Sequence, residues 1–371
     1  MILKNCSLHE FMDTIGTKKC IVMGAVVALD NILKGYPILK EKIECVVDNY
    51  KKGQTYTFQD KQFTICSADY FEEETDYENK VILIATSKYF DEVINQLDEK
   101  QCLSKVDCYV GFFMKSTIKM RDHFKIKEEV FNQTGENKIP KIIHCFWFSK
   151  EPKPELQQKC LNSWKKYCPD YQIMEWNTDN YDIYKNKFVA QAYEKRKWAF
   201  MSDYARLDVL YEYGGIYLDL DVEMIKNYDQ LLKQEVFVGF DCAYNIELGS
   251  GIGARKGHPL IKMLLDSYED ADFINEDGTI NDTPQPARLA PIFEAYGLVR
   301  DGSMQKINNV VFFPTDYFSP LDFCFYYLQK TENTFSIHHF DDAWHSKKQA
   351  EEKIRLRECA RAFYRRIYGL K

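Results

Sequence analysis

The sequence lacks any long apolar run. Its longest, Cys20 to Leu29, is too short to cross a bilayer, which takes about 20 residues. The opening stretch MILKNCSLHEFMDTIG carries no signal-peptide pattern. A soluble chain is expected, one that can still dock on a membrane surface to reach a lipid-linked acceptor. There is no basic run and no positive balance: the net charge is −7, which argues against a nucleic-acid partner. None of the twelve cysteines forms a C-x-x-C pair. Their scatter fits buried thiols in a reducing cytosol rather than a disulfide framework or a zinc site, so the expected location is cytoplasmic. Internal repeats and low-complexity tracts are absent as well.

What is present points to two α/β domains. A chain of 371 residues exceeds one average domain. Residues 1–115 alternate strand and helix signals. Lys19 to Gly24, Ile43 to Asp48 and Val81 to Thr86 read as strands; Val26 to Leu39 and Lys88 to Asp98 read as helices. This rhythm predicts a parallel, Rossmann-like sheet. Asp48 stands where a dinucleotide fold places its ribose-binding acid. Of the G-x-G-x-x-G fingerprint, however, only Gly24 is present; Val26 and Leu29 occupy the other two positions. A pyrophosphate cannot approach the backbone closely there. The expectation is a module degenerate for cofactor, serving structure or docking. Residues 116–138 are polar and read as a linker. Aromatic residues make up 15% of the chain, enough to furnish a large core and sugar-stacking faces together.

The densest stretch is Ser202 to Asp221, SDYARLDVLYEYGGIYLDLD. Ser202 to Tyr213 reads as a helix, and Gly214-Gly215 stops it, because glycine accepts the left-handed backbone that closes a last turn. Ile216-Tyr217-Leu218 reads as a strand delivering Asp219-Leu220-Asp221. Aspartates spaced i,i+2 at a strand end point to one side. Two hard oxygen ligands placed together suit Mg²⁺ or Mn²⁺ carrying a diphosphate. Asp203 and Arg206 share one helical face, where they could form a simple ion pair.

The full string S-D-x-x-R-x-x-x-L-x-x-x-G-G-x-Y-x-D-x-D resembles the sugar-nucleotide site of glycosyltransferase family 32. That family takes in yeast mannosyltransferases and bacterial capsule and lipopolysaccharide transferases, and clostridial glucosylating toxins share its core motif. Three further segments add to the resemblance. Ile139 to Phe148, IPKIIHCFWF, is similar to the family's opening strand, and Cys160 to Trp176 to its next helix-turn-strand. Ser336 to His345, SIHHFDDAWH, resembles its closing motif. The resemblance implies a GT-A type nucleotide-sugar domain with a mixed sheet over residues 139–371.

By that resemblance Asp203 would accept hydrogen bonds from donor-sugar hydroxyls and Arg206 would fix it. Asp221 would ligate the metal directly; Asp219 would contact the ribose and the metal shell. Tyr217 would line the donor pocket. Trp147, at a strand end, would stack on the nucleobase. His339 and Asp342 stand at the metal-ligating offsets of the toxin relatives, and Trp344 would donate to the leaving phosphate. His144, in an apolar strand, reads instead as a core residue. The loop Leu248 to Ala254 followed by Gly257-His258-Pro259 brings glycines to the donor or acceptor but is not a P-loop, since no G-K-[ST] follows. Glu247 is a further carboxylate near the sugar. Thr283-Pro284-Gln285-Pro286 departs from the family's T-G-P, and Ala343 replaces a usual serine.

The expected activity is metal-dependent, retaining transfer of a hexose from a nucleotide-diphosphate sugar to a hydroxyl of a surface-glycan precursor. UDP-hexose is favoured over GDP-mannose as donor, and a glycan or lipid-linked saccharide is the acceptor. Three other readings stay open: a toxin-like transferase that modifies a protein, a non-catalytic sugar-nucleotide or glycan-binding protein, and a nucleotide-dependent oxidoreductase based on the first module, against which the missing glycines weigh.

Overall fold

The computed structural model describes the chain except residues 7, 25, 75, 87, 115–122, 150, 324–326, 342–346 and 369–371. It divides into two units, Met1–Ile118 with Glu352–Lys371, and Lys119–Glu351.

The first unit is built on a seven-stranded sheet. Its order is Ile2–Lys4, Asp107–Val110, Lys80–Ile84, Lys19–Met23, Ile43–Val47, Lys61–Cys66, Thr55–Phe58. All neighbours are parallel except the last pair, which forms a hairpin. After the edge strand Ile2–Lys4, the chain enters the middle of the sheet at Lys19–Met23, builds outward on one side and then returns to fill the other, which is the doubly wound arrangement expected from the strand-helix rhythm. After their first residues, Lys19 and Lys80, the central strands are apolar, as strands of a parallel sheet covered by helices on both faces are. Gly24 follows the first central strand with φ +105°, and a Cβ there would stand 3.1 Å from the Thr86 side chain. That glycine is thus required by packing between strand ends. Asp48, at the next strand end, accepts the Tyr50 N–H at 2.9 Å and closes a local turn.

The C-terminal helix Lys347–Tyr368 departs from the expected boundary. From Glu352 onward it belongs to the first unit. Ala360 and Phe363 are buried there, Phe363 stacks on Phe113 at 4.2 Å, and Arg355 reaches Asp91 at 3.3 Å. An apolar stripe of two residues and paired arginines decide its place. The expected linker is also structured in part. His123–Phe131 is a helix, Val130 is buried in the second unit's core, and Ile139 donates its N–H to the Leu232 carbonyl at 3.0 Å.

The second unit has a mixed sheet ordered Gln305–Ile307, Val310–Phe313, Val236–Phe240, Ile246–Ala254, Gly215–Tyr217, Ile142–Phe146, Gln172–Trp176. Gly215–Tyr217 runs parallel to Ile142–Phe146 and antiparallel to Ile246–Ala254. The mixed α/β sheet is the arrangement expected of a GT-A type domain. Helix Trp198–Tyr213 is buried around most of its circumference, which explains its weak amphipathic pattern. It ends at Gly214, φ +68°, and Gly215, φ +112°; a Cβ on Gly215 would lie 2.7 Å from the Ile142 carbonyl. The two glycines therefore let the strand enter the sheet immediately after the helix.

Candidate active site

The parallel strands Ile142–Phe146 and Gly215–Tyr217 end on the same sheet edge, where ligands of open α/β sheets bind. Asp219, Leu220 and Asp221 follow the second of them. A two-stranded ribbon, Val222–Met224 against Ser336–His338, then fixes the far side of the motif, with Val222 opposite His338. The Trp164 indole N–H donates to the Val222 carbonyl at 2.7 Å and holds this ribbon to the helix Glu155–Tyr167.

This register brings three ligand groups together. Oxygens of Asp219 and Asp221 and a ring nitrogen of His338 lie within 4.8 Å of one another. His338 Nε2 is 3.2 Å from Asp221 Oδ1. The other Asp221 oxygen accepts the Asp341 backbone N–H at 2.8 Å, and the Asp341 side chain is held by Gln157 at 2.7 Å. Burial pushes the Asp221 carboxyl up, but facing His338 and the Asp341 N–H outweigh it and hold it below the usual carboxylate range. Burial likewise disfavours charge on His338, yet Asp221, with Glu247 and Asp219 behind it, raises its pKa. A divalent cation fits such a set: it supplies the positive charge that two crowded carboxylates require.

Asp219 is oriented from behind. The Tyr217 hydroxyl donates to its Oδ1, and Arg206 Nη2 stands 3.5 Å from the same atom. Its other oxygen faces Gly249, where a Cβ would lie only 2.1 Å away. Tyr217 itself is buried and reaches the site through its hydroxyl alone, with the Arg206 guanidinium 4.7 Å over its ring. Arg206 is also anchored to its own helix through the Ser202 carbonyl and hydroxyl at 3.0 and 3.1 Å. It pairs with Asp203 at 3.3 Å, so one guanidinium links the helix carboxylate to the strand carboxylate. Burial pushes the Asp203 carboxyl up to about 7; Arg206 opposes the rise, and Asp219 and Glu247 add to it. Glu247, whose Oε1 accepts the Gly249 N–H at 2.8 Å, is raised by burial too.

The expected site residues thus fall into three groups. Asp203, Arg206, Asp219 and Asp221 converge. His339 does not join them: its Nε2 lies 2.9 Å from Glu223, which also binds Lys159 at 2.7 Å. Its neighbour His338 takes the place beside Asp221, because alternate residues of a strand face opposite sides. Asp342 and Trp344 lie outside the described residues. Trp147 follows the carboxyl end of its strand; its indole N–H donates to the Glu151 carbonyl at 2.9 Å and Lys153 Nζ stands 5.6 Å over the ring. His144 is a core residue as expected. It is fully buried between the Gly214 carbonyl at 2.8 Å and the Trp176 indole at 3.1 Å, and burial lowers its pKa to about 4. The sequence signal for His338 was its place beside His339 in the closing motif; only the ribbon register separates the two.

Residues 154–238 match the glycosyltransferase sugar-binding region containing the DXD motif. The chain is 33% identical over 112 residues to inositol phosphoceramide mannosyltransferase 1 of Schizosaccharomyces pombe, covering 27% of this chain and 34% of that protein. It is 27% identical over 230 residues to the mannosyl phosphorylinositol ceramide synthase SUR1 of Saccharomyces cerevisiae, covering 59% and 57%. Among solved structures, a glycosyltransferase involved in glycosylation of the major capsid of PBCV-1 overlaps 58% of this chain and 98% of its own, with 12% identity and a TM-score of 0.33. The family match and the two curated relatives support a glycosyltransferase family. The chain spans about a third of the length of the first curated relative it matches. Among the described residues no helix is long and apolar enough to cross a membrane.

Proposed function

We propose that the second unit transfers a hexose from a nucleotide-diphosphate sugar to an acceptor hydroxyl, with retention at the anomeric carbon, as members of glycosyltransferase family 32 are expected to do. The observation that carries this reading is the convergence of Asp219, Asp221 and His338 next to the Arg206–Asp203 pair. Asp219, Asp221 and His338 would hold the cation, and an imidazole beside two carboxylates favours Mn²⁺ over Mg²⁺. When bound, the ion neutralises charge on the departing diphosphate. Tyr217 and Arg206 keep Asp219 aimed before the donor arrives, so no reorganisation is needed at the moment of reaction. Asp203 accepts from hydroxyls of the sugar and holds the anomeric carbon near the attacking oxygen, a positioning contribution. The bond from that carbon to the diphosphate oxygen breaks, a bond to the acceptor oxygen forms, and the acceptor proton leaves with the nucleoside diphosphate or to solvent.

The named relatives act as mannosyltransferases on an inositol phosphoceramide. Mannose therefore joins glucose and galactose as a sugar to test, and a membrane glycolipid joins surface-glycan precursors as acceptor class. The decisive experiment is a donor screen with Mn²⁺ over UDP-glucose, UDP-galactose, the UDP-N-acetylhexosamines and GDP-mannose. It reads thermal stabilisation and slow release of nucleotide. One donor should stabilise and be cleaved, and Asp221→Ala should lose both effects while remaining folded. Near-normal turnover in that variant would sink the assignment. Donor binding without any cleavage would favour a sugar-nucleotide-binding protein.

A further inference from the structure

The segment Thr283-Pro284-Gln285-Pro286 opens the helix Gln285–Ala295, and two side chains of its first turns are left incomplete. Gln285 is 4% exposed. Its amide N–H₂ donates to the Asp203 backbone carbonyl and, at 3.1 Å, to the Tyr268 hydroxyl, but its Oε1 has no hydrogen-bond partner. One helical turn on, the Arg288 guanidinium lies 5.1 Å from both the Phe188 and the Tyr268 rings, and its Nη2 is buried without a partner. Both side chains are thus gathered on Tyr268, itself fully buried. Leaving buried polar atoms unpaired is costly, and such atoms in a folded chain call for a complement.

One acceptor and one donor share a common complement. A hydroxyl group donates to the first and accepts from the second. Gln285 touches Asp203 through that backbone carbonyl, and Asp203 is the carboxylate that the Arg206 link places beside the DXD motif. Arg288 lowers the Asp203 pKa, against the burial, Asp219 and Glu247 that raise it, so the guanidinium lies within electrostatic reach of that carboxylate.

We propose that Gln285 and Arg288 form, with Asp203, the wall that reads a ring hydroxyl of the donor sugar and so select among hexose epimers. This rests on the reading of the Asp219–Asp221 site as the seat of the diphosphate. A site built to hydrogen-bond a hydroxyl discriminates strongly, because the wrong epimer leaves its polar atoms unpaired.

The test uses the full chain with Mn²⁺ and calorimetric titration. The probes are UDP and GDP alone, then the epimer pairs UDP-glucose with UDP-galactose and GDP-mannose with GDP-glucose. Gln285→Met and the conservative Arg288→Lys are compared with wild type, with thermal unfolding as the folding control. The expected result is unchanged affinity for the bare diphosphate, within about twofold. Affinity for the preferred sugar donor should fall about tenfold, the loss of one well-made polar contact, and the preference between epimers should collapse. If bare diphosphate and sugar donor weaken in parallel, the two residues only support the fold and this inference alone is overturned. Unchanged epimer preference overturns it equally. If wild type binds neither diphosphate, the metal–diphosphate reading itself fails, and this inference falls with it.

Discussion

The carboxylate of Asp219 occupies the space in which a side chain at Gly249 would begin: a Cβ there would stand 2.1 Å from Oδ2. The Asp219 backbone N–H also donates to the Gly249 carbonyl at 2.9 Å, so the strand holds the two residues at a fixed separation. Neither backbone can retreat without breaking the sheet edge that carries the motif.

Gly249→Ala should therefore displace the Asp219 carboxylate rather than unfold the protein. Mn²⁺ affinity, followed by the electron paramagnetic resonance of the free ion, is expected to drop at least tenfold, in the range of disturbed ligand orientation. An unchanged affinity with an unchanged melting temperature would show that Asp219 is not a ligand.

The ribbon register separates the two adjacent histidines. His338→Gln should weaken Mn²⁺ binding by about 10- to 100-fold, whereas His339→Gln should change it by no more than about twofold. The reverse order would move the third ligand to His339 and contradict the pairing of Val222 with His338.

Asp203 gives a pH dependence whose sign follows from its raised pKa of about 7. In the unfolded chain an aspartate loses its proton near 4. Below that pH both states hold the proton and the group contributes nothing. Between about 4 and 7 the unfolded chain ionises first, so folding stability falls as pH rises, by up to about 4 kcal/mol in all. Urea unfolding should show wild type losing stability relative to Asp203→Asn across this window and no further above it. Donor turnover should move the other way, rising toward pH 7 as the anion that accepts sugar hydroxyls forms. A turnover profile flat from pH 5 to 8 would remove Asp203 from the sugar contact.

Gly215→Ala tests the junction between helix and strand. The backbone there has φ +112° and a Cβ would meet the Ile142 carbonyl at 2.7 Å. A loss of about 2 kcal/mol or more is expected in denaturant titration. A smaller loss would mean that the strand can slide away from Ile142.

Much of this was legible in the sequence because the informative residues are neighbours. Helix, glycine stop, strand and acidic pair follow one another within twenty positions, and local rules suffice for each. The central strands of the first unit announce themselves as continuous apolar runs. The hairpin of Thr55–Phe58 with Lys61–Cys66 is harder to see, because its turn uses Gln59 at φ +53° in place of glycine or asparagine. The place of the C-terminal helix is not visible locally either. Ala360 and Phe363 make an apolar stripe too short to say which core it joins. His338 and His339 are indistinguishable in sequence, since facing depends on a pairing register set by tertiary packing. Gln285 and Arg288 gain meaning only from the atoms that their neighbours leave unpaired.

The ribbon that sets Asp221 beside His338 joins distant parts of the chain: the Asp341 N–H that caps Asp221 comes from 120 residues downstream. During synthesis the acidic pair is complete long before its imidazole exists. A nascent chain ending at Phe240 holds the whole sugar-binding region yet presents only two carboxylates, a weak grip on any cation. Closing so long a loop is slow compared with forming the helix and strand around Asp219. Cation capture should therefore trail the rest of the second unit's assembly, making the site a late checkpoint that only a chain delivered past Asp341 can pass.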